Sequence, residues 1–162
     1  MYEYRVTKYN PAFRTPQGTY TREEWISVHD IGGSFGGNIL TREEFERVEN
    51  TYVASALSFL REAGLSSLIV VGLENRRGHP LAFSEGSSLP LEQIGDAIRM
   101  VLREEYWCRF ESADGFVHIG WDFYMFVGVQ HPCPTARAEA TKLGLHVEEF
   151  RSPYSEVEGD EE

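Results

Sequence analysis

The strongest constraint on the fold is residues 40–64, which read LTREEFERVENTYVASALSFLREAG. Thr41 and Glu44 form a capping-box pattern, in which the hydroxyl accepts the Glu44 amide proton and the glutamate reaches back. Apolar side chains then recur at helical spacing: Phe45, Val48, Tyr52, Ala56, Phe59, Leu60 and Ala63. Polar residues take the other face: Glu43, Glu46, Arg47, Glu49, Asn50 and Arg61. Gly64 stands where a helix commonly ends, so the segment predicts one long amphipathic helix.

Five further segments have the patterns of strands. Residues 2–7 alternate apolar with polar side chains, and residues 67–73 form a short, continuous apolar run. Residues 106–112 and 116–129 predict a hairpin whose two turn residues are Asp114-Gly115. Residues 145–151 form a last strand. A second helix is predicted over residues 90–105 and a short third helix over residues 135–143.

The hairpin has a register that separates apolar from polar side chains. One face pairs apolar and aromatic residues: Phe110 with Ile119, Cys108 with Trp121, and Tyr106 with Phe123. The other face pairs Glu111 with His118, Arg109 with Gly120, and Trp107 with Asp122. A slip of one residue would exchange the two faces, so this separation favours the register.

This order of elements predicts an α+β fold. We expect a mainly antiparallel sheet of about five strands, with two longer helices and one short helix packed on one face. Residues 1–154 are expected to form a single domain, because domains commonly contain about 100–200 residues. Residues 155–162 are an acidic run that we expect to be disordered.

The charge restricts the possible partners. The net charge is −11, of which the tail supplies five, from Glu156, Glu158, Asp160, Glu161 and Glu162. The remaining acidity argues against nucleic acid, whose phosphates require a basic surface. It is compatible with a basic protein partner, and equally with a charge that serves only solubility.

Several patterns indicate a cytoplasmic protein. No apolar run approaches the roughly 20 residues of a membrane helix, and the first residues lack the apolar region of a secretory signal. We therefore expect no membrane association. Cys108 and Cys133 lie in unlike contexts, which favours reduced thiols, with a disulfide as the alternative.

Two segments have some features of a cofactor or metal site. The glycine-rich residues 29–38 match neither G-x-G-x-x-G nor a Gly-Lys-Ser/Thr phosphate loop, so a connecting loop is favoured. His131 and Cys133 could hold a metal, but the other histidines are scattered and zinc takes three or four ligands. We expect no cofactor and no metal.

The polar face of the hairpin is the first candidate site. Its members are Trp107, Arg109, Glu111, His118, Asp122, Tyr124 and Phe126. If this face is exposed, it is a docking surface, since Trp, Tyr and Arg dominate binding energy at interfaces. The alternative is that loops or the third helix cover it. His118 with Glu111 or Asp122 would also suit acid–base catalysis, although cross-strand His–Glu pairs are common structural contacts.

An acidic segment is the second candidate. Glu23 and Glu24 precede Trp25, and Asp30 lies beside the glycines. Negative charge around an aromatic anchor suits a basic partner, and a solvated turn is the alternative.

The first half of the chain resembles a known class of protein. The phrases are Lys8-Tyr9-Asn10-Pro11, Glu24-Trp25-Ile26-Ser27, Asp30-Ile31-Gly32, and Leu40-Thr41 opening a helix with Val48-Glu49 and Tyr52. In phrase and order over residues 1–75, they resemble small bacterial immunity proteins encoded beside polymorphic toxins, including those of contact-dependent growth inhibition. No binding residues are carried over from that class.

The resemblance implies a non-enzymatic cytoplasmic protein that binds one cognate toxin domain, for example a nuclease with a basic cleft. The expected partner-binding residues are those of the two candidate sites, and no catalytic set is expected. The alternatives are a small enzyme using His118 and a regulatory or adaptor domain. The sequence does not determine the oligomeric state.

Overall fold

Seven strands form one antiparallel sheet in the computed structural model, which describes residues 1–155. The strands of the chain are β1 Tyr2–Thr7, β2 Ser34–Phe35, β3 Asn38–Ile39, β4 Ser67–Glu74, β5 Ser88–Pro90, β6 Trp107–Ser112, β7 Gly115–Ile119, β8 Met125–Val129 and β9 His146–Glu149. The sheet has the order β5-β4-β6-β7-β8-β1-β9, while β2 and β3 form a separate hairpin. The α+β class with an antiparallel sheet is thus confirmed.

The strand count of about five was wrong for two reasons. Residues 116–129, expected as one strand, bend at a turn over Trp121–Phe123, where the Gly120 N–H donates to the Tyr124 carbonyl at 2.7 Å. The segment therefore supplies two strands, β7 and β8, which pair with each other. Residues Ser88–Pro90 add a short strand, β5, that pairs with β4 at the edge of the sheet.

The predicted hairpin register was also wrong. Phe110 pairs with Val117 rather than Ile119, and Ser112 pairs with Gly115, so the turn residues are Ala113 and Asp114. Gly115 is needed inside the strand, because a Cβ there would lie 2.6 Å from the Gly128 carbonyl oxygen. A shift of two residues preserves which face each side chain occupies.

Three helices pack on the apolar face of the sheet. They are α1 Arg42–Glu62, α2 Leu91–Leu102 and α3 Pro134–Lys142, and α1 contacts both of the others. The long predicted helix is confirmed: the Thr41 hydroxyl accepts the Glu44 N–H at 3.1 Å, and Gly64 has φ +79°. The Glu44 carboxylate binds Arg47 at 2.6 and 2.8 Å rather than completing the capping box.

The polar pattern of α1 predicted that Glu49 faces solvent, and this prediction was wrong. Glu49 is fully buried. Arg99 of α2 and Arg103, the residue that follows this helix, both donate hydrogen bonds to its carboxylate. The second helix therefore packs across part of the polar face of the first, which the sequence of α1 alone does not show.

The remaining expectations concern the cysteines, the glycine-rich loop and the tail. Cys108 and Cys133 are both buried and free, in agreement with reduced thiols. The glycine-rich loop contains the β2–β3 hairpin, turned by Gly36 and Gly37 at φ +57° and +85°.

Across residues 1–155, no helix has the length and apolarity to cross a bilayer. Except for Ser155, the predicted acidic tail falls outside the described residues.

Candidate partner-binding site

The chain's own C-terminal segment covers the middle of the sheet face that was predicted to dock a partner. Ser152 Oγ lies 2.7 Å from His118 Nδ1, and the Ser152 N–H donates to Glu3 Oε1 at 3.3 Å. The Tyr154 carbonyl accepts a hydrogen bond from Arg109 Nη1 at 3.3 Å. His118 is consequently 1% exposed. Of the two alternatives, coverage by a chain segment holds at the centre of this face.

His118 belongs to a buried serine–histidine–glutamate chain. Its Nε2 lies 2.9 Å from Glu111 Oε1, which also lies 3.3 Å from Arg109 Nη1. A nucleophile, a base and an orienting group have this connectivity in some hydrolases. Here the Ser152 side chain is fully buried, and its oxygen accepts the Tyr154 N–H at 3.2 Å. The arrangement ties the C-terminal segment to the sheet, with the serine facing no cleft.

An aromatic cluster joins the two predicted candidate sites. Tyr9 is fully buried, and its ring centroid lies 5.3 Å from that of Trp25 and 5.2 Å from that of Tyr124. Tyr20 packs edge-on against Tyr9 at 5.1 Å. Burial raises the pKa of the Tyr9 hydroxyl, which therefore stays protonated and acts as a donor. Trp25 of the acidic segment and Tyr124 of the sheet thus share one supporting residue.

The Tyr9 hydroxyl fixes a strained turn. It donates to the Asp122 carbonyl at 2.6 Å, and Asp122 and Phe123 both have positive φ, at 54° and 62°. Such conformations cost on the order of 1–3 kcal/mol in non-glycine residues, so packing must hold them. Phe123 is buried between Phe45 and Tyr52, at centroid distances of 5.6 and 5.1 Å. The turn therefore holds a fixed shape and leaves Trp121 80% exposed.

The turn also brings two predicted acidic residues together. Burial raises the pKa of Asp122, and the negative charge of Asp30 raises it further. Asp30 accepts a hydrogen bond from Ser27 Oγ at 3.0 Å, which orients its carboxylate. The negative charges of Asp30 and of Asp122 in the turn therefore repel each other.

Glu23 and Glu24 occupy the outer part of the acidic segment. Glu23 is exposed and accepts the Gly36 N–H at 3.4 Å. Glu24 accepts a hydrogen bond from the Tyr20 hydroxyl at 2.8 Å, and burial together with this bond raises the pKa of Tyr20 to about 12. Glu23 remains available to a partner, whereas Glu24 also has a structural role.

A cleft of about 590 Å³ opens beside the Trp121 turn. Its walls come from the end of α2, the start of β6, the loop after β4, the turn itself and the C-terminal segment. Its charged lining residues are Glu74, Arg76, Arg77, Glu104, Glu105 and Asp122, and Trp107 and Trp121 supply indole rings. Trp107 and Asp122 were predicted as site residues, and the cleft brings both to one place. Trp121 was missed, because the predicted register assigned it to the core.

The described residues provide no metal site. Within residues 1–155, no group of three or more histidine, cysteine, aspartate or glutamate side chains is arranged to hold a metal ion. Cys133, which the sequence placed near His131, is fully buried, and its thiol donates to the Phe59 carbonyl at 3.8 Å.

Comparison of the chain with protein-family models, curated proteins and solved structures found no match.

Proposed function

We propose that this protein is an immunity protein, which binds a cognate bacterial toxin domain one-to-one and neutralises it without catalysis. The observation that carries the proposal is the turn at Trp121, where a largely exposed tryptophan and Asp122 line the same cleft and the negative charge of Asp30 acts on Asp122. We call this turn, with the acidic residues of the segment 23–30, the acidic–aromatic surface.

The rigidity of the turn supports a role in binding. Tryptophan is among the residues that contribute most to binding energy at interfaces. The hydrogen bond from Tyr9 and the packing of Phe123 fix the backbone on which Trp121 stands. A partner that binds there has less backbone to order, and ordering is a large part of the cost of association.

The charge of this surface supports a basic partner. Glu23, Asp30 and Asp122 supply carboxylates to this surface, in a chain whose net charge is −11. Opposite charge accelerates encounter and disfavours wrong partners. A nuclease toxin has a basic cleft for its substrate, so an acidic surface would suit either that cleft or a neighbouring site.

The enzymatic alternative rests on His118 and has less support. Both ring nitrogens have neighbours within hydrogen-bonding distance, and the side chain is buried beneath the C-terminal segment. A general base needs to reach a substrate proton, directly or through one water. If the chain were an enzyme working through this residue, His118→Ala would abolish the activity while the chain remained folded.

The test co-expresses the chain with the product of the adjacent upstream gene, which under this proposal is a multidomain toxin. We expect the chain to restore growth to cells that express the toxin's C-terminal domain, and to co-purify with it one-to-one. An active toxin that is neither bound nor neutralised by the folded chain would overturn the proposal. An upstream gene of another kind would favour the adaptor alternative.

A further inference from the structure

We propose that the cleft beside Trp121 receives an arginine side chain from the protein partner. This inference rests on the proposed function, and it deepens it by naming the chemical group that the surface recognises. It depends on three features of the cleft: its size, its aromatic walls and the distribution of charge at its mouth.

The size of the cleft suits a whole side chain. A volume of about 590 Å³ lies within the range of roughly 300–1,000 Å³ that is typical of pockets for small ligands. An arginine side chain with the adjoining backbone of a loop fits such a space. A bound water or a monatomic ion would leave most of it empty.

The walls suit a flat group carried on an aliphatic stem. Aromatic and aliphatic side chains form much of the lining: Val101, Leu102, Tyr106, Trp107, Ile119, Trp121 and Phe123. The Trp107 indole N–H donates to the Ile119 carbonyl at 2.8 Å, which fixes the orientation of that ring. A guanidinium stacks on an indole face with favourable cation–π attraction, and its methylene stem packs on the aliphatic residues.

The charge at the mouth favours a cation. Four carboxylates line the cleft, those of Glu74, Glu104, Glu105 and Asp122, and they outnumber the two guanidinium groups there, those of Arg76 and Arg77. Glu104 lies 3.3 Å from His29 Nε2, and Glu74 lies 3.6 Å from Arg76, whose side chain is 86% exposed. These ion pairs lie at the solvent-exposed rim and contribute little free energy, so an incoming guanidinium can replace them.

Asp122 is the specific counter-ion for the incoming group. Its side chain lines the cleft next to Trp121, and an incoming cation there would offset the negative charge of Asp30 that acts on it. A metal ion would require more ligands than this part of the chain supplies, since residues 1–155 contain no cluster of three metal-binding side chains. Arginine is favoured over lysine because only the planar group both stacks on tryptophan and binds a carboxylate through two hydrogen bonds.

The first experiment uses the full chain and the peptide acetyl-Gly-Arg-Gly-amide as the probe. Titration is followed by tryptophan fluorescence, with the citrulline peptide as an uncharged control of nearly the same shape. We expect saturable binding of the arginine peptide, at least tenfold weaker binding of the citrulline peptide, and at least fivefold weaker binding by Asp122→Asn. Asparagine tolerates the positive φ at this position, so the variant isolates the charge.

Control variants separate the cleft from the rest of the surface. Trp121→Ala should remove most of the fluorescence change and weaken binding, whereas Tyr2→Ala, at an exposed position outside the lining, should leave affinity unchanged. Equal affinity for the two peptides, or tighter binding of acetyl-Gly-Glu-Gly-amide to the arginines at the rim, would overturn the inference.

The same variants distinguish this inference from the proposed function. If the wild-type chain neutralises the toxin and both Trp121→Ala and Asp122→Asn bind it as tightly, the function stands and the arginine site is wrong. If the chain binds no toxin at all, the function itself fails. At least tenfold weaker toxin binding by both variants, with unchanged circular dichroism, would support the two together.

Discussion

Glu49 and Arg103 join the two longest helices through a bidentate ion pair. Arg103 Nε and Nη2 donate to the two oxygens of the Glu49 carboxylate at 2.7 and 2.9 Å. The carboxylate is fully buried, and the hydrogen bond raises the pKa of Arg103 further above its ordinary value. Charged groups buried in this way stabilise a protein only while every partner is present.

The first prediction follows from this pair. Removing both guanidinium groups with Arg99→Ala and Arg103→Ala should lower the free energy of unfolding by about 3–5 kcal/mol, because a buried carboxylate is left without a cation. Glu49→Gln should cost less, about 1–3 kcal/mol, since the amide retains one acceptor oxygen. Urea denaturation measures both effects.

Glu46→Gln is the matched control, because Glu46 is exposed on the same helix and its 3.6 Å ion pair with Arg42 lies at the solvent-exposed surface. It should change the free energy of unfolding by less than about 0.5 kcal/mol. Equal effects at positions 46 and 49 would contradict the structural role of the ion pair.

The second prediction concerns association with the toxin. Reversing the charges of Glu23, Glu24 and Asp30 to lysine should slow association by about tenfold or more at low salt and flatten its salt dependence. Stopped-flow or surface-plasmon measurements at several ionic strengths give these rates. An unchanged association rate would remove these three residues from the interface.

Its control is a triple reversal with the same change in net charge elsewhere. Glu92, Asp114 and Glu139 are exposed residues on other elements. Their replacement by lysine should slow association much less if the acidic–aromatic surface guides the encounter. Because Glu24 also binds Tyr20, circular dichroism must show that the first variant remains folded.

The third prediction uses the buried thiol of Cys108. Burial raises its pKa to about 12, from an ordinary value of 9.0. An acid whose folded pKa is raised stabilises the fold below its unfolded pKa, and that contribution is lost as pH rises between the two values. The wild-type chain should therefore lose about 1.4 kcal/mol more than Cys108→Ala between pH 8 and pH 10.

Chemical labelling provides an independent measurement on the same thiol. Neither Cys108 nor Cys133 should react with a disulfide reagent at pH 8 in the folded protein, and both should react at once in denaturant. Rapid labelling of Cys108 under native conditions would show that the sheet face beneath the helices opens readily.

The fourth prediction concerns the close approach of β7 and β8. A Cβ atom at Gly128 would overlap the ring of Phe116, which stacks on His118 with centroids 4.1 Å apart. Gly128→Ala should therefore lower the free energy of unfolding by about 1–3 kcal/mol through overpacking. Adding Phe116→Leu should recover part of this loss, whereas strictly additive losses would indicate that the ring is not the obstacle.

Local patterns predicted the elements that local forces determine. The capping Thr41, the apolar stripe of α1 and the glycine at its end are contained within one segment, so that helix followed from its sequence. The hairpin did not, because Asp114-Gly115 has the composition of a tight turn while Gly115 is required elsewhere. Its lack of a side chain lets β8 approach, and that requirement comes from a strand that follows later in the chain.

The candidate site was predicted in parts but not as a whole. The charges and aromatic rings of residues 23–30 and of the sheet were identified separately, and Tyr9 is the residue that joins them. Ser152 contacts His118, which is 34 residues earlier in the sequence, and no periodic pattern predicts a contact at that separation. Trp121 was assigned to the core, but the turn that follows Gly120 leaves it exposed. Beyond the turn, Met125, Val127 and Val129 are buried, as their alternation predicted.

The first strand, β1, has neighbours on both sides. It pairs with β8 at residues 125–129 and with β9 at residues 146–149. Its backbone hydrogen bonds to these strands can therefore form only after the last quarter of the chain has been synthesised. During synthesis, residues 2–7 emerge from the ribosome long before either partner strand exists. The sheet is therefore completed late, and until then α1 and α2 pack on an incomplete sheet. Closing such long loops is slow, and we expect folding times nearer to milliseconds or seconds than to microseconds.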